Sequence, residues 1–186
     1  MNKVLAGLLI FVGVIVVVAV ILMILVKVMV GENNKDKGEY SKVLSADAAD
    51  APKALVVYQP SLGDSGKNIA EKFAAGLNDN GYEVTLAYPS EKLSSDISAY
   101  DIVVLGSGVY AGKSSKALQE YIVSVDSFSG KTVFLYSVGS METMEELDEI
   151  APEFGDASSL TTFKFQSTDK DVGDKAYAQA VLLVGK

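Results

Sequence analysis

The chain opens on an unbroken apolar stretch. From Val4 to Val26 (VLAGLLIFVGVIVVVAVILMILV), 23 residues carry no charge. As a helix, at ~1.5 Å per residue, the run covers about 34 Å, enough for the ~30 Å hydrocarbon core of a bilayer. Its Val and Ile content weakens a helix in water, but in lipid the backbone must satisfy its own hydrogen bonds, so helix is the expected state. Lys27 follows and can snorkel to the headgroups. A cleaved signal peptide has an apolar core of only about 7–15 residues with a small-residue cleavage site close behind. Here the A-x-A matches, Ala46-Asp47-Ala48 and Ala49-Asp50-Ala51, lie well beyond the run. The expectation is an uncleaved anchor over residues 1–30, with residues 4–26 in the bilayer.

Residues 31–52 (GENNKDKGEYSKVLSADAADAP) lose the apolar pattern and read as a linker. A flexible chain of this length has a typical span of about 25 Å, which would leash the following domain near the membrane. Lys3 flanks the apolar run on one side, and Lys27, Lys35, Lys37 and Lys42 on the other. That bias places the carboxyl-terminal domain in the cytoplasm.

From Lys53 the pattern alternates between short apolar runs and amphipathic stretches. Ala54–Tyr58, Ile102–Gly106 and Thr132–Tyr136 are continuous apolar runs, the mark of buried parallel strands. Glu83–Tyr88 and Leu160–Gln166 alternate as half-exposed strands do. Helical spacing marks Lys67–Leu77, with Ile69, Ala70, Phe73, Ala74 and Leu77 on one face, and also Ser114–Val123, Thr143–Ile150 and Asp174–Leu183. Five strands alternating with helices over residues 53–186 predict one α/β domain with a parallel sheet covered on both faces. Ligands of such sheets bind at the carboxyl ends of strands, near the point where strand order reverses.

Composition narrows the chemistry. The chain has no Cys, His, Trp or Arg. Disulfides, thiolate or imidazole metal sites and Ser-His-Asp or Cys-His catalysis are excluded. Catalysis would rest on carboxylates, lysines, hydroxyls, backbone dipoles or a cofactor. The net charge of −8 lies entirely in residues 53–186, with 11 lysines against 19 acids. So acidic a domain is a poor binder of nucleic acid and suits basic partners better.

Three loops follow the three strongest strands. Gln59–Lys67 (QPSLGDSGK) brings hydroxyls and bare amides to a helix N-terminus, an anion cradle. Its plain alternative is a strand-to-helix turn capped by Ser65 or Asp64. It is not a Walker loop, because the first glycine is missing and Asn68 stands where Ser or Thr is required. Gly106–Ser114 (GSGVYAGKS) is glycine-rich with one aromatic, Tyr110, which either wraps a flat ring or packs on its helix. Ser137–Ser140 (SVGS) allows close backbone approach. The carboxylates beyond it, Glu142, Glu145, Glu146, Asp148 and Glu149, are expected on a solvated helix, with a docking surface for a basic partner as the alternative.

The segments ALVVYQPSLGDSGKNIAEKFAAGL, YDIVVLGSGVYAGKSSKALQEYI and KTVFLYSVGS resemble the flavodoxin-like family, and strand order, length and loop positions agree over Lys53–Lys186. The resemblance implies a five-stranded sheet of order 2-1-3-4-5 and non-covalent FMN. Carried over, Ser61, Leu62, Gly63, Asp64, Ser65, Gly66 and Lys67 would cradle the phosphate. Ser107, Gly108, Val109, Tyr110, Ala111 and Gly112 would border the flavin ring, with Tyr110 stacking and the Ala111-Gly112 peptide turning toward the flavin as its redox state changes. Ser137, Val138, Gly139 and Ser140 would border its opposite side. The flavin itself would do the redox chemistry. Asp64 departs from the family's neutral phosphate loop, since like charges ~4 Å apart cost about 1 kcal/mol in water and more when partly buried. The expected function is membrane-anchored, FMN-dependent electron transfer or quinone-type oxidoreduction, with a basic redox protein or a quinone as partner. The alternative is an interaction module of the same fold that no longer binds flavin.

Overall fold

The computed structural model describes residues 3–185. Helix α1 (Lys3–Asn34) is continuous for 32 residues. Its large apolar side chains from Leu5 to Met29 are exposed. Among the described residues it is the one helix long and apolar enough to cross a membrane.

The remaining elements are β1 (Ser41–Leu44), β2 (Lys53–Gln59), α2 (Ser65–Asp79), β3 (Glu83–Ala87), β4 (Ile102–Gly108), α3 (Lys116–Ser124), β5 (Thr132–Gly139), α4 (Glu145–Asp148), a 3-10 turn (Ala151–Phe154), β6 (Ser159–Gln166) and α5 (Val172–Val184). The sheet order is β1-β3-β2-β4-β5-β6. Every pairing from β3 to β6 is parallel. Counted from β2, this is the order 2-1-3-4-5 expected from the sequence. The reversal point lies between β2 and β4.

The sheet has six strands rather than five. The extra strand, β1, runs antiparallel to β3. It lies inside the segment that reads as a linker, because its four residues have almost no apolar periodicity and Val43 is exposed. Side chains outside it hold it in place. Tyr40 stacks on Tyr88 with ring centroids 4.5 Å apart. Asn78 Nδ2 donates to Ser45 O at 3.0 Å and to Tyr82 O at 2.9 Å.

Strand alternation divides the interior in two. Ala54, Val56, Tyr58, Val104 and Phe134 pack beneath α2 and α5, against Ile69, Phe73 and Ala180. Leu55, Val57, Val103, Leu105 and Leu135 pack on the other face, against Leu118, Ile122 and Leu147. Gly106 is required where it stands, because a Cβ there would meet the Tyr136 ring at 2.0 Å.

Two local expectations change. β4 and β5 run on to Gly108 and Gly139, so Ser107, Gly108, Ser137, Val138 and Gly139 lie in strands rather than loops. The helix expected over Thr143–Ile150 shortens to α4, a single turn.

Candidate functional site

The carboxyl ends of β2, β4 and β5 meet at one edge of the sheet. After β2 the chain turns through Gly63, at φ +89°, and enters α2. Asp64 occupies the N-cap position, yet its carboxylate accepts no capping hydrogen bond and lies exposed. The bond from Asn68 N to Asp64 O, 2.8 Å, is the first of the helix. The amides of Ser65, Gly66 and Lys67 before it are therefore left without a side-chain cap, with their dipoles directed at the edge. Gly66 is buried, and a Cβ on it would lie 3.3 Å from Ser61 Oγ. Leu62 projects outward, 52% exposed.

The loop after β4 closes on itself. Tyr110 and Lys113 exchange backbone hydrogen bonds of 3.1 and 3.2 Å. Ala111 and Gly112 turn the chain between them at φ 52° and 73°, the backbone of a tight hairpin turn. Ala111 is the one non-glycine residue with positive φ among the described residues. Val109 N donates to Val138 O at 2.8 Å, extending the β4–β5 ladder into the loop. Tyr110 is half-buried, and its ring and Ser61 Cβ each lie 3.0 Å from where a Cβ on Gly108 would sit. The loops after β2 and β4 thus meet at Ser61, Gly108 and Tyr110. Ser107 is buried, and its hydroxyl accepts from Ser115 N at 3.0 Å.

Beneath the third loop lies a buried ion pair. Glu146, 3% exposed, accepts from Ser137 Oγ at 2.6 Å and is bonded to Lys164. Burial works to raise the Glu146 carboxyl, but hydrogen bonds from Lys164 and Ser137 outweigh it and hold the group below the usual carboxylate range. Glu146 therefore does not belong to the solvated set, whereas Glu142, Glu145, Asp148 and Glu149 do. Helical spacing alone gave no sign of this, because its partner Lys164 stands on β6, 18 residues on. Glu149 pairs with Lys113 at 2.6 Å, tying the second loop to the α4 region. Val138 is buried, while Ser140 is exposed and free to face a ligand.

The end of α1 also reaches this edge, which the linker reading did not anticipate. Asn33, 2% exposed, donates from Nδ2 to Gly108 O at 3.2 Å. Gln59, 1% exposed, donates from Nε2 to Asn33 O at 3.0 Å and Lys35 O at 2.9 Å. Asn34 Oδ1 accepts from Lys116 N, 2.8 Å away, in the first turn of α3. A cavity of about 640 Å³ opens beside Asn34, between Pro89–Ser95 and Tyr121. None of the residues expected to contact a cofactor lines it.

The sequence matches the family described as Flavodoxin domain over residues 55–175. An uncharacterized protein of Methanocaldococcus jannaschii is 28% identical over 96 residues, 51% of this chain and 59% of the relative's own length. Oxidised Flavodoxin 2 from Bacillus cereus superposes with a TM-score of 0.57 at 19% identity, over 72% of this chain and 98% of that one. A flavodoxin from the domain Archaea gives a TM-score of 0.56 at 16% identity, over 72% and 96%. At those identities the two structures establish the fold, and the family match extends it to descent. The chain belongs to the flavodoxin domain family.

Proposed function

We propose that this protein is a membrane-anchored, flavodoxin-like electron carrier that holds FMN non-covalently at the carboxyl edge of its sheet. The observation that supports this most is the uncapped first turn of α2, at the end of a central parallel strand. Bare amides and a helix dipole at that position suit a phosphate. The Asp64 carboxylate takes no capping bond from them, so the donors stay available. Ser61, Gly63, Ser65, Gly66 and Lys67 would hold the phosphate. Tyr110, Ala111, Gly112 and Ser140 would border the ring. FMN bound there supplies one- and two-electron redox chemistry.

The anchor and the acidic domain suggest the partners. Helix α1, spanning a bilayer with the domain on the cytoplasmic side, would bring the site to a membrane quinone. The surplus of acids over residues 53–186 would attract a basic redox protein. A second reading, an interaction module without flavin, draws on the hydroxyls of Ser107 and Ser137, which are tied up inside the protein. It also draws on the lack of an aromatic residue in Val138–Ser140.

Flavin-fluorescence titration of the full chain in nanodiscs separates the two. Electron transfer requires quenching at micromolar FMN, much weaker for riboflavin, which lacks the phosphate. No quenching by either would leave the interaction module.

A further inference from the structure

We infer that the carboxyl edge of the sheet is held against the bilayer surface, so that the site's mouth opens toward lipid rather than bulk solvent. This rests on the reading that α1 spans a membrane. The helix continues unbroken from the apolar run to Asn34. Asn33 lies six helical steps beyond Lys27, about 9 Å at ~1.5 Å per residue. The seat of the domain therefore lies within one or two helical turns of the headgroups.

The joint is built rather than slack. Helix ends leave carbonyls unsatisfied, and here Gln59 Nε2 caps Asn33 O while Asn33 Nδ2 binds Gly108 O. Both side chains are almost wholly buried, so their amide nitrogens make these bonds out of reach of water. Asn34 meanwhile caps the first turn of α3. Four hydrogen bonds to β2, β4 and α3 fix the edge to the helix axis.

The same edge carries exposed apolar side chains. Leu62 follows β2, and Met141 and Met144 follow β5, at 52%, 67% and 38% exposure. Singly, exposed apolar residues are ordinary. Three of them on the edge that α1 joins fit an interfacial contact with acyl chains. The acids nearby limit this contact to what the joint imposes, because Glu142 and Glu145 gain nothing from anionic headgroups.

The absence of cysteine makes single labels unambiguous. Leu62→Cys and Met141→Cys report the carboxyl edge. Asp126→Cys, after α3, and Glu153→Cys, before β6, report the opposite one. The edges are about 25 Å apart, at ~3.3 Å per strand residue. The full chain is reconstituted in phosphatidylcholine vesicles containing headgroup-nitroxide lipid, and quenching of an environment-sensitive label is read at each site. Quenching several-fold stronger at positions 62 and 141 is the expected result. Equal quenching at all four positions overturns the inference, as does a label at 62 or 141 that is shielded from water but untouched by lipid, which would mean a second copy covers the edge. Alkaline carbonate extraction of the same vesicles tests the anchor separately: release of the protein removes both readings, whereas retention with equal quenching removes only this one.

Discussion

Glu146 and Lys164 show how a single pair can hold the site's floor. A buried ion pair adds little net stability, but breaking one side leaves an uncompensated charge. Lys164→Met should therefore cost about 3–5 kcal/mol, and the double variant Glu146→Leu, Lys164→Met much less. Denaturant unfolding of the full chain in detergent reads this cycle. Because the folded-state value of Glu146 lies below its ordinary 4.5, its contribution is complete above that pH and is lost as pH falls through the lowered value. Acid titration of wild type against the double variant should show the difference only below about pH 4.5. Asp64 acts in the opposite sense. It occupies the N-cap of α2 without capping the helix, beside the proposed phosphate seat, so Asp64→Asn should tighten FMN roughly fivefold, about 1 kcal/mol of removed repulsion. Isothermal titration with FMN reads it. Of these two carboxylates, Asp64 stood out in the sequence because its loop is local. Glu146 did not, because what buries it is Lys164 on a distant strand.

Among the elements, the three central strands were legible because burial on both faces writes itself as unbroken apolar runs, and β3 and β6 because their partly exposed faces leave an alternating pattern. Their ends were not: Ser107, Gly108, Ser137 and Gly139 have strand backbones but turn-like side chains. Pairing with neighbouring strands decides their state, on both sides for Ser107 and Ser137 and on one side for Gly108 and Gly139. β1 was illegible for a related reason. Its anchors are a backbone ladder, the Tyr40–Tyr88 stack and the Asn78 amide, none of which has a period. Asn78→Ala should therefore release β1 while leaving the core intact. The expected readout is faster amide exchange at 41–44 and a loss of about 1–3 kcal/mol, from carbonyls left without a donor. Unchanged exchange there would mean that the ladder alone suffices.

At the scale of the whole molecule, the segment between helix and domain is structure rather than slack. Asn33 and Asn34 seat α1, and Ser41–Leu44 completes the sheet. A chain cut to residues 53–186 would leave the β3 edge unpaired, an invitation to intermolecular pairing. It should melt lower and self-associate, whereas residues 35–186 should remain monomeric. Sedimentation velocity and thermal unfolding of the two fragments make the comparison. The charge follows the same division, since the acidic surplus sits beyond residue 52 and the α1 end brings Lys27, Lys35 and Lys37 to the junction.

The central claim is that the edge where these parts meet holds FMN. Full chain purified from membranes, incubated with excess FMN and freed of unbound cofactor on a desalting column, tests it directly through the visible absorption of flavin per chain. One flavin per chain is the expected result. A colourless protein, with all the FMN in the wash, would contradict it.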